Sequence, residues 1–186
     1  MNKTLRSLAA VAMLAALPVA SALAADYVQA PGSKLAFATK YDGEVFAGTF
    51  PGFAATLSFD PVHLDASRLD VTIPLAGATT GNDDRDSTLK TGDFFDVGKF
   101  AQAHYSASKF RDLGAGKYAA DGTLELKGVS KPVTLTFTWT PGAQPVLFGR
   151  ASIKRLDFGI GTGDWADTKS IPADVAVSTH VVFKAK

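Results

Sequence analysis

Apolar residues recur at every second position through much of this chain. Leu35, Phe37, Thr39 and Tyr41 alternate with Ala36, Ala38, Lys40 and Asp42. Leu69, Val71, Ile73 and Leu75 alternate with Arg68, Asp70, Thr72 and Pro74. The same rhythm runs through Tyr118 to Leu126, Val133 to Trp139 and Val175 to Phe183. A period of two puts each set on one face of a β-strand. Gly, Pro, Asp and Asn separate the strands, and little room is left for helices between them. That spacing predicts an antiparallel sandwich or barrel, not a parallel α/β sheet.

One connection breaks the rhythm. Asn82-Asp83-Asp84 offers N-cap side chains, Arg85 to Lys90 has room for one or two helical turns, and Gly92 can end them. Asp93 to Phe100 is expected to add a second short turn.

The first residues follow a different pattern. Lys3 and Arg6 precede an apolar run from Leu8 to Leu17, and Ala22-Leu23-Ala24 supplies small residues at a cleavage site. This is the pattern of a secretory signal, too short to span a bilayer, which takes about 20 residues. We expect residues 1–24 to be a signal peptide and residues 25–186 to form one domain in the periplasm. Removing the leader takes Lys3 and Arg6 from 19 basic residues and leaves 18 acidic ones, a formal charge of −1. Such a chain carries no electrostatic footprint for nucleic acid. It has no cysteine, which excludes a lipoprotein anchor, thiolate metal sites and disulfide staples. Stability must come from the core.

The chain contains 13 phenylalanines. Phe37, Phe46, Phe50, Phe53, Phe59, Phe94, Phe95, Phe100 and Phe158 are candidates to line an apolar pocket, as are Phe110 and Phe148. Ordinary barrel core is the competing reading for each. Ala and Gly share the faces that carry the large residues, as at Ala120, Gly122 and Gly48 to Ala55. That mixture either leaves a cavity or interdigitates into a dry core.

The motifs of catalysis are missing. Asp83, Asp84 and Asp86 sit in a polar helix start, without the desolvation that paired-carboxylate chemistry needs. The acids do not follow the spacing of a calcium loop. His63, His104 and His180 are widely separated and show no metal-ligand spacing. There is no Gly-x-Ser-x-Gly elbow. Gly159 to Gly163 lacks the strand–turn–helix context of a phosphate loop and reads as a turn-rich loop at a barrel end. We expect no enzyme activity, no catalytic residue, no metal and no cofactor.

Several segments, in order and at matching intervals, resemble the YceI-like family across essentially the whole mature chain. They are Phe50-Pro51-Gly52-Phe53, Ser58-Phe59-Asp60-Pro61, Asp84-Arg85-Asp86 with Leu89, Asp93-Phe94-Phe95-Asp96-Val97, Gly122 to Val133 and Arg155 to Gly161. The resemblance implies a single eight-stranded antiparallel, lipocalin-like barrel with one or two short helices in the connection around residues 82–100. It implies non-catalytic binding, storage or transport of a polyisoprenoid or an isoprenoid quinone, held by the phenylalanines named above. It also raises a homodimer and a membrane cytochrome partner. Arg85 and Asp86 match the family motif, and either orient a head group or fasten the helical segment over the barrel. The alternatives are a ligand-free structural or stress-response barrel, or a quinone carrier serving a membrane cytochrome.

Overall fold

The computed structural model describes residues 25–186; the expected leader, residues 1–24, lies outside the described residues. Ten strand segments run in chain order: β1 (Ala25–Gln29), β2 (Lys34–Tyr41), β3 (Glu44–Thr49), β4 (Ala54–Phe59), β5 (Arg68–Pro74), β6 (Gln102–Gly114), β7 (Lys117–Leu126), β8 (Val129–Thr140), β9 (Val146–Lys154) and β10 (Asp174–Ala185). One α-helix, α1 (Asp83–Leu89), lies between β5 and β6.

These ten segments make an eight-stranded closed barrel. β1 and β2 lie end to end along the same edge of β10, with Gln29 opposite Phe183 and Lys34 opposite His180. β4 pairs with β1 and β3 pairs with β2, so β3–β4 is likewise one kinked strand. The kinks fall at Pro31-Gly32 and Pro51-Gly52, where both glycines adopt positive φ. Proline cannot donate to a ladder, and glycine tolerates the left-handed backbone, so each pair bends a strand without ending it. Hydrogen bonds from Ala30 N to Val182 O and from Phe50 N to Leu35 O carry the pairing across both bends. From β4 to β10 each strand pairs antiparallel with the next. The pairing of β10 with β1 then closes the barrel and leaves that part without an open edge.

The predicted alternation holds. Leu35, Phe37, Leu69, Leu124, Leu135, Phe137, Val181 and Phe183 are all buried, while His180 lies on the other face of β10. One strand changes phase. A bulge between Ala107 and Lys109 in β6 brings Phe110 to the face already occupied by Ala103, Tyr105 and Ala107.

The connection between β5 and β6 covers part of one end. Asn82 caps α1, its side chain accepting from Arg85 N at 2.9 Å. Asp86 ties the helix to the preceding chain through Thr80 N at 2.7 Å and Thr79 Oγ1 at 2.7 Å. These bonds hold its carboxyl below the usual range, the Thr79 hydroxyl contributing most. Asp93 to Phe100 folds into short turns, as expected, so the connection holds one helix. Asp96 sits at φ 48°, and Phe95 N and Asp96 N reach back to Leu89 O and Thr91 O.

Candidate ligand-binding cavity

The barrel interior has a distinct character at three levels along its axis. At the α1 end lies a chamber of about 360 Å³. Phe37 from β2, Phe46 from β3 and Val175 and Val177 from β10 form its barrel wall. Leu89, Phe94 and Phe95 come from the α1 connection, and Ile160, Trp165 and Ile171 from the loop between β9 and β10. Below it, a second chamber of about 90 Å³ is bounded by Leu35, Phe53, Ala55, Leu69, Leu135 and Phe183. Ile153 and Val177 border both chambers, so the two adjoin at these side chains.

At the far end the bore is filled. Phe59 packs against Phe110, Tyr118, Phe137 and Trp139 with ring centroids 5.1–5.9 Å apart. Tyr27 and Phe183 extend the cluster by packing on Trp139 at 5.4 and 6.1 Å. Tilted and edge-to-face pairs of this kind add to the burial of each ring. Large and small residues thus do both things the sequence allowed. Ala55 and Ala151 leave room in the lower chamber, and rings fill the floor. Some small residues only make space for a ring. A Cβ on Gly48 would collide with the Phe37 ring, and one on Gly122 would lie 2.7 Å from Tyr105 Cζ.

The polar groups are segregated. In the lower chamber Thr179 Oγ1 donates to Lys34 O at 3.0 Å, and Tyr105 OH donates to Ala120 O at 2.8 Å. Burial pushes the Tyr105 phenol well above its ordinary pKa, so it stays neutral. No polar group there is left to solicit a ligand. The mouth differs. Asn82, Asp84, Arg85 and Thr88 border the upper chamber on one side. Arg85 Nε donates to Thr80 Oγ1 at 2.9 Å, and the guanidinium lies 4.3 Å above the Phe46 ring. Among the described residues its two terminal nitrogens make no hydrogen bond or ion pair. Thr39 Oγ1, on β2 directly across from Phe46, also borders this chamber and is buried with no partner among those residues.

Arg155 is the residue that sequence reasoning passed over. It is 3% exposed, borders the upper chamber and has no ion-pair partner among the described residues. Its guanidinium donates five bonds to the carbonyls of Pro172, Ile160, Gly161, Trp165 and Ile171 at 2.6–3.1 Å. Burial pulls its pKa below the ordinary value. The side chain acts as the hub that gathers the β9–β10 loop over the mouth. Arg155 stands in one of the family-like segments, but nothing in the residue's spacing marks a cation whose partners are all backbone.

Of the expected lining residues, Phe37, Phe46, Phe50, Phe94, Phe95 and Arg85 border the upper chamber, and Phe53 borders the lower one. Three do not line either. Phe59 is the centre of the floor. Phe158 is 2% exposed at the end of the 3₁₀ turn Arg155–Phe158 and packs in the core outside the chambers. Phe100 lies against Gly128, at the turn joining β7 and β8. Phe110 belongs to the floor, and Phe148 points outward, 43% exposed, with Arg150 beside it. The histidines are dispersed: His63 pairs with Asp60 and His104 with Asp70, both exposed. No group of three or more potential metal ligands occurs among the described residues. No helix among them is long and apolar enough to cross a membrane.

Comparison with known proteins supplies the remaining context. Residues 27–183 match the YceI-like domain family. A UPF0312 protein of Serratia proteamaculans is 34% identical over 174 residues, covering 87% of this chain and 88% of its own. One from Vibrio campbellii is 33% identical over 170 residues, covering 84% and 89%. Among solved structures, Burkholderia cenocepacia BcnA superposes with a TM-score of 0.78 at 30% identity, over 81% of this chain and 95% of that one. A polyisoprenoid binding domain from Saccharophagus degradans, implicated in plant cell wall breakdown, shares the fold with a TM-score of 0.65 at 18% identity, over 87% and 99%.

Proposed function

Because the chain belongs to the YceI-like family, we propose that it binds an isoprenoid-type lipid, tail inward, and shields it from water. The observation that carries this reading is the pair of adjoining apolar chambers, in the deeper of which Thr179 and Tyr105, the polar side chains among the described lining residues, are already hydrogen-bonded. Ligand sites of about 300–1,000 Å³ are concave, mostly apolar and supplied with few polar groups. The upper chamber falls in that range.

The tail is held by burial. Each CH₂ taken from water contributes roughly 0.8 kcal/mol, so a hydrocarbon tail needs no strong polar anchor. The head group stays at the mouth, where, among the described residues, the terminal nitrogens of Arg85 and Thr39 Oγ1 have no partner. A head group rich in acceptors, such as a quinone, a phenol or a phosphate, suits that pair. The role is binding, storage or transport, not turnover. Among the described residues Tyr105 is the one titratable group that borders the lower chamber, and it is engaged and neutral. Residues 1–24 support export to the periplasm.

Native mass spectrometry of freshly purified protein tests the proposal, followed by solvent extraction. A bound mass that extracts as an isoprenoid is the expected result. A clean apo mass, with no uptake of added polyprenol or ubiquinone, overturns it.

A further inference from the structure

We propose that the aromatic floor is a molecular ruler that fixes how much of a ligand tail the barrel encloses, with the Phe183 ring as the stop and Ala151 setting the bore above it. This rests on the tail-inward reading given above. β10 reports the axial order directly. Val175 and Val177 border the upper chamber, Val177, Thr179, Val181 and Phe183 border the lower one, and Phe183 touches the ring cluster. β8 gives the same order, with Val133 and Leu135 at the lower chamber and Phe137 and Trp139 in the floor. β4 repeats it with Ala55 above and Phe59 below. All three strands therefore run from bore to floor in the same direction, so the ring cluster lies at one end of the bore, as a stop requires.

The floor is fixed in place. Phe183 is fully buried, Phe59 is 2% exposed, and Phe59 contacts four other rings. A tail cannot displace one ring without disturbing its neighbours, because cores are packed to crystal-like density.

The length of the bore follows from strand geometry. The steps from Val175 to Phe183, at roughly 3.3 Å each and tilted by about 40°, give about 20 Å along the axis. A chain of single bonds advances about 1.2 Å per bond when extended, so that distance accommodates about four isoprene units laid straight. Each unit that still finds bore gains burial, and each further unit stays outside it.

The test measures dissociation constants of the full-length mature protein for polyprenols of two to eight isoprene units, by tryptophan fluorescence or calorimetry. For the wild type, affinity should rise by about tenfold or more per unit and level off near four units. In Ala151→Leu the added side chain fills the lower chamber, and the plateau should arrive at least one unit earlier. In Phe183→Ala the floor opens, and the plateau should arrive later. Ala151→Leu serves as the second arm if Phe183→Ala does not fold. Binding in the wild type with no plateau, or with a plateau that a folded Ala151→Leu leaves unmoved, overturns the ruler alone. Failure of every polyprenol to bind the wild type overturns the underlying tail-inward reading.

Discussion

Two residues show how side-chain chemistry is used in this barrel. Arg155 is buried without a carboxylate, yet each of its donors has a carbonyl. Desolvating a cation is costly unless its hydrogen bonds are replaced, and here five carbonyls replace them. Lysine has a compact ammonium instead of a planar fork and cannot serve carbonyls spread across the loop from Ile160 to Pro172. Arg155→Lys and Arg155→Met should each lower stability by about 3 kcal/mol or more. That corresponds to a fall in Tm of several degrees, measured by thermal melts. A Tm within one degree of wild type contradicts the role of hub. Gly48 acts through space rather than bonds. Its missing Cβ is where the Phe37 ring sits, and Thr79 O lies only 2.9 Å from where that Cβ would be. Gly48→Ala should push the ring into the upper chamber and weaken tail binding by about tenfold or more, the worth of roughly two CH₂ groups. Titration with a polyprenol reads this out, and circular dichroism checks that the fold persists.

Within elements, the strands were legible and their irregularities were not. A period of two and Pro-Gly punctuation suffice to predict an antiparallel barrel, because alternation encodes burial on one face. The bulge in β6 has no such signature. It shifts Phe110 into the floor, so a residue that alternation would turn outward packs against Phe59. The phenylalanine content implied apolar lining, but the level a ring occupies depends on register. Phe37 and Phe59 look equivalent in sequence, yet one borders the open chamber and the other seals the far end. Arg85 was expected either to brace α1 or to meet a head group. Its bond to Thr80 does the first, and its terminal nitrogens, unbonded among the described residues and beside the upper chamber, leave room for the second.

A titratable pair ties β6, β7 and β8 together. Asp121 accepts from Arg111 at 2.7 and 3.0 Å and from Thr134 Oγ1 at 2.7 Å. Arg111 and then Thr134 lower its pKa to about 2 from an ordinary 3.8. A depressed carboxyl pKa stabilises the fold above the unfolded value, and that contribution is lost as pH falls through the folded value. The interaction is therefore complete at neutral pH and disappears between about pH 4 and 2. Because the pair is partly exposed, its contribution is modest and salt-sensitive. Asp121→Asn should flatten the acid limb of a stability-versus-pH curve over that interval and leave its shape above pH 5 unchanged. Urea titrations across the range provide the comparison. An unaltered acid limb would assign the slope to other carboxylates.

For the whole molecule, one barrel carries two kinds of interior, and each supports the other. The ring-filled end supplies stability through burial, at roughly 1.5–3 kcal/mol per large apolar side chain, and needs no ligand. The open end leaves apolar surface unfilled, a packing deficit that a hydrocarbon tail corrects on entry. Ligand binding and stability should consequently be linked. A ligand that binds only the folded chain adds RT ln(1 + [L]/Kd), about 2.7 kcal/mol at a hundred times Kd. For a chain of this size that is a rise in Tm of roughly 5–10 °C. Melts with increasing polyprenol should follow this logarithm. The same series on Arg85→Ala should shift to higher ligand concentration if the head group meets Arg85. It should keep its ligand dependence and start from a lower apo Tm if Arg85 only braces α1. A Tm that stays constant as polyprenol is raised would mean that the folded barrel does not bind the tail.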